Sequence, residues 1–98
     1  MDKEQRPETP LFPVGRTLAT PGVMNLAETG WINPAELLAR HERGDWGDID
    51  EDDWAANDAA VLDGGRIFSS YAIAEDQKVW VITESNRSVS TILLPGEY

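Results

Sequence analysis

Residues 45–54 read DWGDIDEDDW, a run of carboxylates with an indole towards each end. Carboxylates at this density first suggest cation binding. Asp48, Asp50 and Asp52 would stand at the first, third and fifth positions of a calcium loop. The sixth position of such a loop needs glycine for its sharp turn, and the residue is Asp53. The twelfth needs a bidentate glutamate, and the residue is Ala59. A second set, His41 with Asp45 and Asp48, supplies one imidazole and two carboxylates, but no ligand spacing unites them. A lone histidine beside Leu37 and Leu38 reads as a packed residue.

Catalysis has little else to draw on. Cysteine is absent, so there is no thiolate nucleophile, thiolate metal site or disulfide framework. A serine triad would have to use His41, and no serine sits in a Gly-x-Ser-x-Gly turn. There is no Walker A loop and no Gly-x-Gly-x-x-Gly. Gly64, Gly65 and Arg66 lead into a strand-forming run, where a phosphate loop would lead into a helix. Nothing marks two carboxylates as buried together, as acid–base work requires. The sequence predicts a non-enzymatic protein with no catalytic residue, no bound metal and no cofactor.

The elements that position the acid follow from caps and periodicity. Thr20, Pro21 and Gly22 open a short helix carrying Val23, Leu26 and Ala27 on one face, and Gly30 stops it. Asn33 and Pro34 open a second, over about residues 34–43, in which Glu36 precedes Arg40 by one turn. Asp50 caps a third helix, with Glu51, Asp52 and Asp53 at the positive end of its dipole and Gly64 and Gly65 ending it. The period then changes. Residues 66–73, 78–84 and 89–94 are rich in β-branched and aromatic side chains and are separated by turn-like segments. In the middle run Val79, Val81 and Thr83 share one face while Trp80 and Ile82 take the other, the pattern of a central strand.

The expected fold is α+β, with two or three short N-terminal helices packed on a three-stranded antiparallel β-meander. Residues 1–18, with Pro7, Pro10 and Pro13, are expected to form a Pro-rich flexible arm, Leu11 and Phe12 pinning it to the domain. Residues 19–98 form the single α+β domain. One face of the sheet should meet the helices and the other should be covered by the arm or by a partner.

Ninety-eight residues, 41% of them apolar, suit one small globular domain. No apolar run approaches the roughly 20 residues of a membrane helix, and residues 1–6 lack the apolar stretch of a signal peptide. The expectation is a cytoplasmic protein without a membrane partner. Eighteen acids against eight bases give a net charge of −10. That charge disfavours direct nucleic-acid binding and favours basic surfaces, many of which belong to nucleic-acid-binding proteins.

Carboxylates spaced along a helix or loop can imitate phosphates. The candidate partner-binding residues are Asp45, Trp46, Asp48, Asp50, Glu51, Asp52, Asp53 and Asp58, with Trp46 or Trp54 as an aromatic anchor. Capping explains residues 50–53 equally well, and the tryptophans suit a core. Asp45 and Asp48 precede the helix and capping does not explain them. A competing reading takes the two proline-started helices as a helix-turn-helix. Its second helix sets Arg40 and Arg43 against Glu36 and Glu42, so it lacks the expected basic face. The alternatives are thus a small nucleic-acid-binding regulator using that hairpin, or a metal-dependent hydrolase using the acidic stretch.

Five segments carry a resemblance: TPG at residues 20–22, RGDWGD at 43–48, GGRIFSSY at 64–71, VWVITE at 79–84 and the ending TILLPGEY at 91–98. Together they resemble a group of small bacterial proteins found on plasmids, phages and integrative elements, some labelled as type I restriction–modification subunits. A methyltransferase subunit needs a cofactor-binding glycine loop and an Asn-Pro-Pro-Phe-type motif, and neither is present; the label fits gene neighbourhood. The resemblance implies a cargo gene of a mobile genetic element. Such cargo includes small acidic inhibitors of host defence. The implied function is anti-CRISPR or anti-restriction inhibition by nucleic-acid mimicry, directed at a basic host nucleoprotein complex.

Overall fold

The computed structural model describes residues 9–98. Strand β1 (Arg16–Ala19) is followed by helices α1 (Pro21–Glu28), α2 (Pro34–Glu42) and α3 (Glu51–Asp63). Strands β2 (Ile67–Ala74), β3 (Gln77–Thr83) and β4 (Val89–Leu93) come next, then a closing 3-10 turn (Pro95–Glu97).

The helices begin where the caps place them. The Thr20 hydroxyl accepts from the Val23 amide, the Asn33 side chain from Ala35 and Glu36, and the Asp50 carboxylate from Asp53 at 2.8 Å. Each such cap satisfies an otherwise orphaned N–H, worth about 1 kcal/mol.

The α+β class holds, but the sheet has four strands and is mixed, in the order β1-β4-β3-β2. The expected three-stranded meander is its antiparallel part, with β3 in the middle. The fourth strand, β1, lies parallel to β4, pairing Leu18 with Thr91 and Ala19 with Ile92. The helices therefore lie between β1 and the meander in sequence and do not precede the sheet. All four β1 residues are exposed, so no apolar alternation marks them as a strand.

Residues 9–18 are not a loose arm. Leu11 donates its amide to the Glu42 carbonyl, and Phe12 is buried between the His41 and Trp46 rings. The Val14 carbonyl accepts from Ser90, and β1 begins at Arg16. This segment packs on the helix side of the sheet; on the opposite face Ile82 and Leu93 are buried, and Phe68 and Trp80 are half-buried. Residues 1–8 of the expected arm lie outside the described residues.

Two apolar clusters form the core. Val23, Leu37, Tyr71, Val79, Val81 and Ile92 join α1 and α2 to the sheet. Phe12, Trp46, Trp54, Ala60 and Ile67 join α3 to the N-terminal segment. Each large side chain removed from water contributes about 1.5–3 kcal/mol.

Candidate partner-binding surface

The acidic run divides into two kinds of residue. Asp45 is structural. Its carboxylate takes the Arg40 Nε–H at 2.7 Å and the Gly47 amide at 3.2 Å, and its carbonyl takes the Tyr71 hydroxyl at 2.6 Å. That carboxylate raises the Arg40 pKa above its ordinary value, and the Arg40 guanidinium lies 4.5 Å over the Tyr71 ring. Burial pushes the Tyr71 phenol up, keeping it a neutral donor. Asp58 accepts from the Trp46 indole at 3.0 Å. Asp48 is exposed and pairs with Lys78 at 3.2 Å. Asp50, Glu51, Asp52 and Asp53 are all exposed on the first turn of α3. Among the described residues no Lys or Arg forms an ion pair with any of these four.

Neither candidate tryptophan reaches the surface. Trp46 is fully buried and Trp54 is 8% exposed. Both belong to the cluster under α3, so an anchoring role for either would require the core to open. The reason lies in the loop between α2 and α3. The Trp46 carbonyl accepts from the Ser70 amide, and the Asp48 amide donates to the Ser70 carbonyl at 2.6 Å. This short parallel bridge draws the loop against β2 and turns Trp46 inward. Gly47 sits within it at φ +79°, where a Cβ would overlap the Ser70 carbonyl oxygen.

His41 is buried away from Asp48, and its ring nitrogens are occupied. Nδ1 lies 2.6 Å from the Ser69 hydroxyl and Nε2 lies 2.9 Å from the Thr83 hydroxyl. The chain continues from Thr83 to Ser90 at 2.6 Å and from Ser90 to the Val14 carbonyl at 2.8 Å. Proton counting fixes its direction. A carbonyl only accepts, so Ser90 donates to Val14; Thr83 must then donate to Ser90, and Nε2–H to Thr83. Burial pushes the imidazole pKa down to about 3, and the nearby positive charge of Arg87 adds to the shift. The ring is therefore neutral near pH 7, and with its proton on Nε2 the bare Nδ1 accepts from Ser69. Among the described residues no group of three or more His, Asp or Glu side chains is placed to hold a metal ion.

Part of the exposed acid faces a surface that no sequence motif marks. Asp48, Asp50, Asp53 and Asp76 line a hollow of about 630 Å³ whose other walls include Phe68, Trp80, Ser70 and Lys78. Asp76 comes from the β2–β3 turn, where its φ is +60°. The alternation of β3 sets Trp80 and Ile82 opposite Val79 and Val81, and the structure puts Val79 and Val81 against the helices. Cross-strand register, invisible in the sequence, adds Phe68 opposite Ile82 and brings the β2–β3 turn beside the start of α3.

No protein-family model, curated protein or solved structure matches this chain. Among the described residues no helix is long and apolar enough to cross a membrane.

Proposed function

We propose that this chain is a non-enzymatic, cytoplasmic interaction protein of a mobile genetic element. It inhibits a host defence nucleoprotein complex, of the CRISPR or restriction class, by occupying a basic nucleic-acid-binding surface with carboxylates in place of phosphates. The observation that most supports this reading is that no Lys or Arg among the described residues pairs with Asp50, Glu51, Asp52 or Asp53. These four are exposed on one helical turn, whereas Asp45 and Asp48 are each matched by an internal cation. Helix capping needs only the Asp50 side chain, which accepts from Asp53. Three further carboxylates beside it repel one another, and a basic partner relieves that repulsion. The resemblance to cargo proteins of mobile DNA supports the choice of target class.

The test is affinity capture from a host that expresses restriction and CRISPR systems. The wild-type chain retains a basic complex at about 0.1 M salt and releases it as salt approaches about 1 M. The variant Asp50→Asn, Glu51→Gln, Asp52→Asn, Asp53→Asn keeps the cap and fold and captures nothing above background. Equal capture by the variant would overturn the proposal.

A further inference from the structure

Beside the acid, the face of the sheet away from the helices carries a row of rings. Phe68 and Trp80 meet edge to face with centroids 5.0 Å apart, and Trp80 meets Tyr98 the same way at 5.9 Å. A hollow of about 340 Å³ lies among Phe68, Trp80, Ile82, Tyr98 and Arg66. Phe68 and Trp80 also line the larger acidic hollow, so this ring pair is the wall common to both. Tyr98 is 71% exposed, a large aromatic surface left to solvent.

Charge decides what can lie there. Among the described residues lining the acidic hollow, Lys78 is the one basic side chain, and it is paired with Asp48. Asp50, Asp53 and Asp76 face the same hollow without an internal cation among the described residues. In the smaller hollow the Arg66 guanidinium is held by Glu84 at 3.5 Å and the Tyr98 hydroxyl at 2.9 Å. A nucleic acid stacking on these rings would set its phosphates against the carboxylates. A second copy would bring another net charge of −10. A cation beside an apolar group fits both hollows at once.

We infer that this face holds an extended basic segment of the partner protein. One lysine or arginine side chain lies over Trp80 among Asp50, Asp53 and Asp76, and a neighbouring large apolar side chain sits between Phe68, Trp80 and Tyr98. The inference rests on the reading of the acid as a partner surface and supplies its anchor. The three carboxylates attract the cation, and the indole face adds a cation–π contact. The apolar side chain gains from the ring-lined hollow, which gives the contact a component that salt does not screen.

The test is an NMR titration of the full chain with a short capped peptide of alternating lysine and leucine, read at the Trp80 indole N–H. The peptide shifts that signal. Tyr98→Ala weakens binding about fivefold, and so does replacing the peptide's leucines with serine. The four-residue acid variant described above weakens it about tenfold or more. No movement of the Trp80 signal at millimolar peptide overturns the inference. So does binding that needs the acids but is indifferent to Tyr98→Ala and to the leucines; the acid reading then stands without its anchor. Unchanged binding by the acid variant removes the acid reading itself. A single-stranded oligonucleotide that moves Trp80 more strongly than the peptide overturns the choice of a basic segment.

Discussion

The Asn57 side chain binds both backbone groups of Phe68: Nδ2 donates to the carbonyl oxygen at 2.6 Å and Oδ1 accepts the amide hydrogen at 3.1 Å. Phe68 lies on β2, the edge strand of the sheet beside β3. One buried amide supplies the two bonds that a further strand would supply. At Ser70 the Trp46 carbonyl and Asp48 amide do the same. The loop carrying the acid and the helix that follows it together close this edge of the sheet.

Asn57→Leu therefore leaves a buried N–H and C=O without partners. The expected loss is about 2–4 kcal/mol in urea unfolding at neutral pH. Exposure of the β2 edge should also increase self-association in size-exclusion chromatography. Asn57→Asp keeps an acceptor for the Phe68 amide but sets a carboxylate against its carbonyl, so it should be at least as costly.

The His41 network predicts a pH dependence. The folded pKa, about 3, lies below the ordinary value of 6.5. Protons therefore bind the unfolded state first, and the stability is fully present above 6.5 and lost as pH falls towards 3. His41 is the only histidine in the chain and carboxylates titrate mostly below pH 5, so His41 dominates the slope between pH 7 and pH 5. Unfolding free energy should fall by about 2 kcal/mol over that interval. His41→Asn should be less stable at pH 7 and show a nearly flat profile over the same range.

The sequence shows most of the elements, because their caps and periods are local. Thr20, Asn33 and Asp50 announce their helices, and Val79 to Thr83 announce the central strand. It does not show β1, whose four exposed residues owe their strand to pairing with β4. It leaves Trp46 open between a core residue and a partner anchor, because the Gly47–Ser70 bridge that turns the indole inward is a tertiary contact. Asp45 shows the same limit: it lies outside the α3 cap and reads as functional, yet its partners, Arg40 and Tyr71, come from other elements. The sequence does show Asp50 as the cap of α3 and Glu51, Asp52 and Asp53 in its first turn. Their aromatic neighbours Phe68, Trp80 and Tyr98 required the tertiary fold.

Arg87 joins three distant segments. Its guanidinium donates to the Ala60 carbonyl at 2.8 Å and the Gly65 carbonyl at 2.6 Å, and lies 5.5 Å from the Phe12 ring centre. It thus caps the C-terminal end of α3, where a cation also complements the dipole. Arg87→Ala should cost about 2–3 kcal/mol and speed amide exchange in the last turn of α3. Arg87→Lys keeps the charge but lacks the fork, so it should recover only part of the loss.

Glu97 caps α1 from the far end of the chain. Its carboxylate accepts from the Thr20 hydroxyl at 2.5 Å, the Gly22 amide at 3.0 Å and the Leu94 amide at 2.9 Å. Gly22 leaves room for this, since a Cβ there would lie 2.9 Å from both carboxylate oxygens. The Thr20 bond, with the backbone donors, holds the Glu97 pKa below the ordinary carboxylate value. Its contribution is present above that value and lost as pH falls through the folded one. Glu97→Gln should lower the melting temperature slightly at neutral pH, increase exchange at Gly22 and Val23, and make no difference in strong acid.

The central claim is that exposed acid on α3 disables a basic host complex. It is tested most directly by plasmid or phage entry into cells with an active CRISPR or restriction system. Co-expression of the wild-type chain should raise entry at least about tenfold, equivalent to about 1.4 kcal/mol of competition at the target. The Asp50→Asn, Glu51→Gln, Asp52→Asn, Asp53→Asn variant, folded and equally abundant, should give no rise. Equal entry with wild type and variant, or no rise with either, would contradict it.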